Sequence, residues 1–390
     1  MARSILIKHV RLPDDLRLWL GRALWLCLLF SLLPLASTRK ADPLPKEVIT
    51  NKPRMCVHTR FTDEVDEWKI AYSLELIREM GASTIVEFFP WAYIEGRQGH
   101  YDWARADMMM KLARLNGIRV IARLGFVPEW ARPQATLAYT TLNTLDRNAY
   151  GAFATFVGAF VARYSDTLHG VILWNEPNLA FEWGYQQVSP EDYVALLKAV
   201  YPIAKQANPA VLVLGGALAP TLEPEGSPYG LNDLVYLERM LRADAHQFMD
   251  ALAVHSYGAT HPHDHEPAFE RLNFRRAELL QALLARYAPN MPAYITEFGW
   301  NDHPRWANAV RPSQRVQYTI GALEWANTRW QWANALCVWV FRYPAPTRSY
   351  PDNFTLATTD FQLKALYGAL RAYATGQESD LTWLPPPQSD

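Results

Sequence analysis

The chain has 390 residues, 50% hydrophobic and 20% charged, a balance that excludes disordered and fibrous classes and is enough for a sizeable buried core. Lys+Arg 38 against Asp+Glu 39 leave a net charge of -1 without a long basic run, so the electrostatic footprint of a nucleic-acid binder is missing. The aromatic content is high, with Trp 15, Tyr 19 and Phe 16, more tryptophan than a core needs, and it points to a flat, apolar-faced ligand.

Residues 1–22 carry Arg3, Lys8, Arg11, Arg17 and Arg22 against Asp14 and Asp15, and an apolar run from Ala23 to Ala36 follows. A basic flank before an apolar stretch reads as an export segment. The run is shorter than the ~20 residues that cross a bilayer, which favours a cleaved signal peptide. Cutting after Ser37, however, places Leu35 at the -3 position, so an uncleaved anchor stays open. Residues 1–45, ending in Asp42-Pro43-Leu44-Pro45, are therefore set apart as export segment and linker. The protein is expected to be secreted or held on the outer side of a membrane through residues 16–36; its oligomeric state is not legible. A Pro-rich tail, 379–390, closes the chain.

Between these ends eight short apolar runs recur. They are Met55–His58, Thr84–Phe88, Arg119–Arg123, Val171–Trp174, Val211–Leu214, Ala251–Val254, Ala293–Thr296 and Leu336–Trp339. Near-continuous apolar strands are what a parallel sheet buried on both faces requires. Each run is followed by a loop and a stretch of helical period. Asp63 is placed to cap a helix whose apolar positions Ile70, Leu74, Ile77 and Met80 precede Gly81, a stop. Ser189-Pro190-Glu191-Asp192 offers a capping side chain, a proline for the first helical position and first-turn acids. Eight strand–helix alternations without a Gly-rich phosphate loop predict one closed (β/α)8 barrel over 46–378. Active sites of that fold lie where the strands end.

Polar residues just past the apolar runs are His58, Arg60, Trp91, Glu129, Trp130, Asn175, Glu176, His255, Tyr257, Glu297, Trp300, Trp339 and Arg342. Two carboxylates stand out, Glu176 after the fourth run and Glu297 after the seventh, on strands that face each other across a barrel mouth. Such a pair cleaves glycosidic bonds: one carboxylic acid protonates the leaving oxygen while the other carboxylate attacks the anomeric carbon, with net retention at about 5 Å separation.

Trp174-Asn175-Glu176-Pro177-Asn178 resembles the W-N-E-P-N signature of retaining (β/α)8 glycoside hydrolases of clan A, the superfamily of cellulases, xylanases and β-xylosidases. Thr296-Glu297-Phe298-Gly299-Trp300 resembles the clan's nucleophile motif. Trp91-Ala92-Tyr93-Ile94-Glu95-Gly96 with Gly99-His100-Tyr101-Asp102-Trp103 is similar to its segment after strand two, with Gly96 in place of proline, and His255-Ser256-Tyr257 to its H-x-Y at strand six. The resemblance implies Glu176 as acid/base, Glu297 as nucleophile, Asn175 as contact to the sugar 2-hydroxyl, Tyr257 as contact to the nucleophile, and Trp339 as a floor under the sugar. One departure stands out. Many relatives carry an arginine in the second strand, where this chain has Val86 and Glu87; Arg60 and Arg123 are the candidates to replace its charge.

The implied activity is a retaining glycosidase acting on β-linked poly- or oligosaccharides, with no cofactor and no metal. Transglycosylation at the same site and a non-catalytic carbohydrate-binding barrel are the alternatives. His255, Tyr257, Trp91, Trp130, Trp300, Trp339 and Arg60 join Asn175 as expected sugar contacts. Glu129 reads as a structural ion-pair partner, Glu95 as a scaffold of its turn, and Glu182 with Trp183 as a subsite or a plain surface. His261-Pro262-His263-Asp264-His265 reads as a solvated loop. Cys56 and Cys337 read as buried small hydrophobes, with a bridge left open by their neighbouring strands.

Overall fold

The computed structural model describes residues 44–133, 142–346 and 348–377, with Pro13, Asp15 and Trp19. The expected export segment, its tether at 16–36, and the tail at 379–390 lie outside these residues, the few positions named apart. No helix among the described residues is long and apolar enough to cross a membrane.

From Pro45 onward the chain forms a closed barrel of parallel strands in sequence order: β1 Met55–His58, β2 Thr84–Pro90, β3 Arg119–Gly125, β4 Leu168–Leu173, β5 Leu212–Leu218, β6 Ala251–Tyr257, β7 Ala293–Gly299 and β8 Ala333–Val338. Each of the eight runs read from the sequence overlaps one of these strands, with Trp174, Val211 and Trp339 just outside theirs, and the fold is the expected (β/α)8 barrel. The longer helices between and after them are α1 Glu67–Glu79, α2 Ala104–Leu115, α3 Tyr150–Arg163, α4 Pro190–Ala207, α5 Asp233–Arg242, α6 Arg276–Ala285, α7 Pro312–Arg329 and α8 Ala365–Thr375.

Each strand is buried on both faces because alternate side chains serve two cores. Cys56, Val86, Ile121, Ile172, Leu214, Ala253 and Cys337 fill the barrel interior, while Val57, Ile85, Val120, Val171, Val254 and Val338 face the helices. In α1, Ile70, Leu74 and Ile77 are fully buried, as their spacing demands. The helix starts later than expected: Asp66 precedes it, and Asp63 sits in the turn Phe61–Asp63, where it accepts from Arg60 Nε at 2.6 Å. Ser189 caps α4 as read, accepting from the Asp192 amide. Gly81 has φ +87°, and a Cβ there would lie 2.8 Å from Cβ of Ala374 on α8, so the αL stop also lets that last helix close against the barrel wall.

Cys56 and Cys337 are disulfide-bonded, which corrects their reading as free hydrophobes. The β1–β8 register puts them directly opposite, both facing the interior. A second buried link holds the far side: Arg276 and Asp233, both about 1% exposed, pair with Nε to Oδ2 at 2.9 Å and Nη2 to Oδ1 at 2.6 Å.

Candidate active site

The strand ends deliver the site through the same alternation. On β1, Cys56 points inward, hence His58 does too; on β3, Ile121 and Arg123; on β6, Ala253, His255 and Tyr257. On β7 the count slips. Val254 pairs with Ile295 but His255 pairs with Glu297, so Thr296 is an extra residue opposite no partner of its own. A regular strand would send Glu297 outward among the helices; this bulge turns it into the mouth. On the β4 side, Trp174 (φ +77°) and Glu176 (φ +41°) adopt backbone conformations that side-chain-bearing residues rarely take. That turn swings Glu176 back over the barrel while its amide donates to Ala217 O at 3.1 Å.

The two glutamates meet. One oxygen of Glu176, one of Glu297 and a ring nitrogen of His255 all lie within 4.8 Å of one another. His255 Nδ1 is 2.7 Å from Glu176 Oε1 and 3.6 Å from Glu297 Oε2. Tyr257 donates its hydroxyl to Glu297 Oε2 at 2.6 Å, Arg123 Nη1 donates to Oε1 at 3.2 Å, and His58 Nε2 stands 3.3 Å from Oε1. Burial alone would raise the Glu297 carboxyl, but His255, His58, Arg123 and the Tyr257 hydrogen bond outweigh it and hold it down to about 2. His58 is pushed down to about 3, chiefly by its own burial, so near neutral pH it is uncharged and Arg123 is the standing cation beside Glu297. Burial also opposes charge on His255, yet the Glu297 and Glu176 carboxylates overcome it and raise its pKa.

Arg123 answers the missing charge of strand two. Glu87 points outward and binds Thr59 Oγ1 at 2.7 Å and the Phe61 amide at 2.8 Å. The inward residue paired with Arg123 is Phe88, whose ring lies 4.9 Å beneath the guanidinium. Arg60, the other candidate, pairs with Asp63 and lies 5.0 Å from the Tyr343 ring.

A cleft of about 610 Å³ opens over the carboxylates, with Arg60, Asn175, Tyr257, Trp300, Trp306 and Trp339 among its walls. Trp339 is half-buried and stands edge-on to Tyr257 and Phe354 at 6.2 and 4.9 Å between ring centres; its peptide bond to Val340 is cis. Trp300 reaches the wall but is 1% exposed and donates to His261 O at 2.8 Å. His255 contacts the two acids rather than open space. Trp91 and Trp130 lie elsewhere: Trp91 is fully buried against Phe153 and Phe156, and both indoles serve Glu95, donating at 2.6 Å to its carboxylate and at 2.8 Å to its carbonyl. They pack the turn after β2, whose motif makes Glu95 the scaffold expected of it.

Glu129 is exposed in the turn Glu129–Ala131. Arg342 ties down Glu64 at 2.5 Å. In the histidine loop His261 stacks on His265 at 4.4 Å while His263 packs at Gly321 and Tyr318. Among the described residues the cluster close enough to share an ion is Glu176, His255 and Glu297. Sequence reasoning passed over Tyr350 and Phe354 in the cleft wall, which come from the loop after β8 and belong to no motif.

No protein-family model matches the chain, and no curated protein matches it. Solved structures do. A family 39 glycoside hydrolase from Bacteroides cellulosilyticus superposes with a TM-score of 0.67 at 21% identity, over 83% of this chain and 64% of that one. A monomeric beta-xylosidase from Caulobacter crescentus gives 0.61 at 18%, over 84% and 69%. A family 30 endoxylanase from Clostridium papyrosolvens gives 0.55 at 14%, over 86% and 75%. This chain thus spans under two thirds of the family 39 chain's length. What is common to all is the barrel: the chain has the fold of clan A glycoside hydrolases.

Proposed function

We propose that the protein is a retaining glycoside hydrolase that cleaves β-linked poly- or oligosaccharides by double displacement. The observation that carries this reading is the 4.8 Å grouping of the Glu176 and Glu297 oxygens, which suits retention near 5 Å and not inversion at about 6.5–9.5 Å. Glu297, held ionised, attacks the anomeric carbon and forms a glycosyl ester. The glycosidic oxygen leaves with a proton from Glu176, which lies 2.7 Å from Nδ1 of His255. Glu176 then takes a proton from water, whose oxygen displaces Glu297 and returns it as a carboxylate. Asn175 meets the 2-hydroxyl, and Trp339 with Trp306 offers apolar faces to sugar rings. Likeness in fold to xylosidases and xylanases supports a carbohydrate substrate.

The same reading places the protein outside the cytoplasm, as the basic and apolar N-terminal segment suggests. The Cys56–Cys337 disulfide supports it, since such bonds persist in oxidising compartments.

A 2-deoxy-2-fluoro β-glycoside with an activated leaving group is expected to label Glu297, found by peptide mass spectrometry. Glu176→Ala and Glu297→Ala are each expected to abolish hydrolysis of unactivated substrates. Turnover with no label, or near-wild-type turnover by either folded variant, overturns the assignment.

A further inference from the structure

The reading of Asn175 as the 2-hydroxyl contact leaves open what holds its amide in one orientation, and the residue that does so belongs to no motif. Asn175 Oδ1 accepts from Arg123 Nη1 at 2.7 Å, and its Nδ2 donates to Glu182 Oε1 at 2.9 Å. The other oxygen, Oε2, accepts from Asn143 Nδ2 at 3.1 Å. Glu182 is itself anchored by its backbone: the Trp174 indole, one residue before Asn175, donates to Glu182 O at 2.7 Å. Arg123 therefore reaches Glu297 and, through Asn175, Glu182 as well.

We propose that Glu182 is a positioning residue that locks the Asn175 amide so that its remaining N–H faces the sugar, making the enzyme selective for β-glycosides bearing a free 2-hydroxyl. The inference rests on the glycosidase reading. Its logic is the donor and acceptor count. Arg123 carries donors only, so Oδ1 must face it and Nδ2 must face Glu182. Glu182 in turn faces two amide NH2 groups, and only an ionised carboxylate accepts from both without presenting a hydrogen of its own. A glutamine there would aim its NH2 at one of the two asparagines and allow Asn175 to turn away.

Glu182 also stands where its charge is contested. Burial first, then the like charges of Glu176 and Glu297, raise its carboxyl to about 7, against Arg123 and the Asn175 hydrogen bond. Arg60 and Asp63 are the other charged groups in the cavities that Glu182 lines. The lock thus loosens when Glu182 takes up a proton.

The test is the ratio of kcat/KM for an aryl β-glycoside to that of its 2-deoxy analogue, taken in wild type, Glu182→Gln, Asn175→Ala and the double variant. Glu182→Gln is expected to lower the ratio about tenfold, by loss of one oriented hydrogen bond, and to add little to Asn175→Ala. In wild type, which needs no variant to fold, the ratio is expected to fall as pH drops below about 7. The substrates share Glu176 and Glu297, so the titration of those acids cancels. An unchanged ratio in folded Glu182→Gln, additive losses, or a pH-independent ratio in wild type each overturns the inference while leaving the glycosidase reading intact. Absence of hydrolysis of any β-glycoside by wild type sinks that reading instead.

Discussion

Arg123 on the third strand holds its Nη1 3.2 Å from Oε1 of Glu297 on the seventh. The guanidinium favours the ionised form of the carboxyl. Glu297, depressed to about 2, contributes stability that is present above its unfolded value near 4.5 and is lost as pH falls through the folded one. Arg123→Met keeps the stem over Phe88 but removes the charge. It is expected to lower kcat/KM about 100-fold and to move the acid limb of the pH–rate profile upward, because Glu297, the proposed nucleophile, then protonates more readily. A variant with an unshifted acid limb contradicts this role.

Tyr257 donates to the other Glu297 oxygen. That bond is strongest to a free carboxylate, so under the proposed mechanism it helps Glu297 depart from the glycosyl ester. Tyr257→Phe is expected to slow deglycosylation about tenfold or more, the worth of a hydrogen bond to a charged group, with kcat and KM falling together. Stopped-flow assay of an activated aryl glycoside checks it: a product burst that wild type lacks supports the role, and KM rising at constant kcat refutes it.

Glu176, His255 and Glu297 are close enough to clasp a cation, yet Arg123 already brings positive charge to Glu297 and disfavours a second. Activity is expected to survive exhaustive chelation unchanged. Loss on chelation, restored by a divalent ion, means that the trio is a metal site.

Cys56–Cys337 joins β1 to β8, the neighbouring strands that no crossover connects. Replacing both cysteines with alanine is expected to cost about 2–5 kcal/mol with little effect on KM, measured by thermal unfolding beside activity. A variant as stable as wild type removes the bond from the account of stability.

Arg276 and Asp233 are both buried, and Arg276→Ala strands a carboxylate among apolar atoms. The expected destabilisation is about 3–5 kcal/mol. Pairing Arg276→Met with Asp233→Leu is expected to recover most of it, in denaturant titrations of the single and double variants; equal instability of the two denies the pair its role.

Strand positions were legible because both-face burial demands unbroken apolar runs such as Val211–Leu214 and Ala251–Val254, and the two glutamates were legible from the motifs around them. The start of α1 was misplaced because Asp63 pairs with Arg60 three residues before it, inside a separate short turn, and the helix begins only after Asp66. Trp91 and Trp130 were expected in the cleft, since a strand-end tryptophan reads alike whether its indole faces a sugar or Glu95. Arg123 could have been singled out by alternation from Ile121, whereas Tyr350 and Phe354 arrive by a loop with no pattern to announce them. The disulfide depended on register, which two cysteines 281 residues apart do not disclose.

Thr296 carries a lesson for anyone grafting this barrel's chemistry onto another scaffold. Copying the side chains of the seventh strand into an evenly pleated host would present Thr296 and Phe298 to the opening and hide the Glu297 carboxylate behind the wall, so the frame shift has to be transplanted along with the residues.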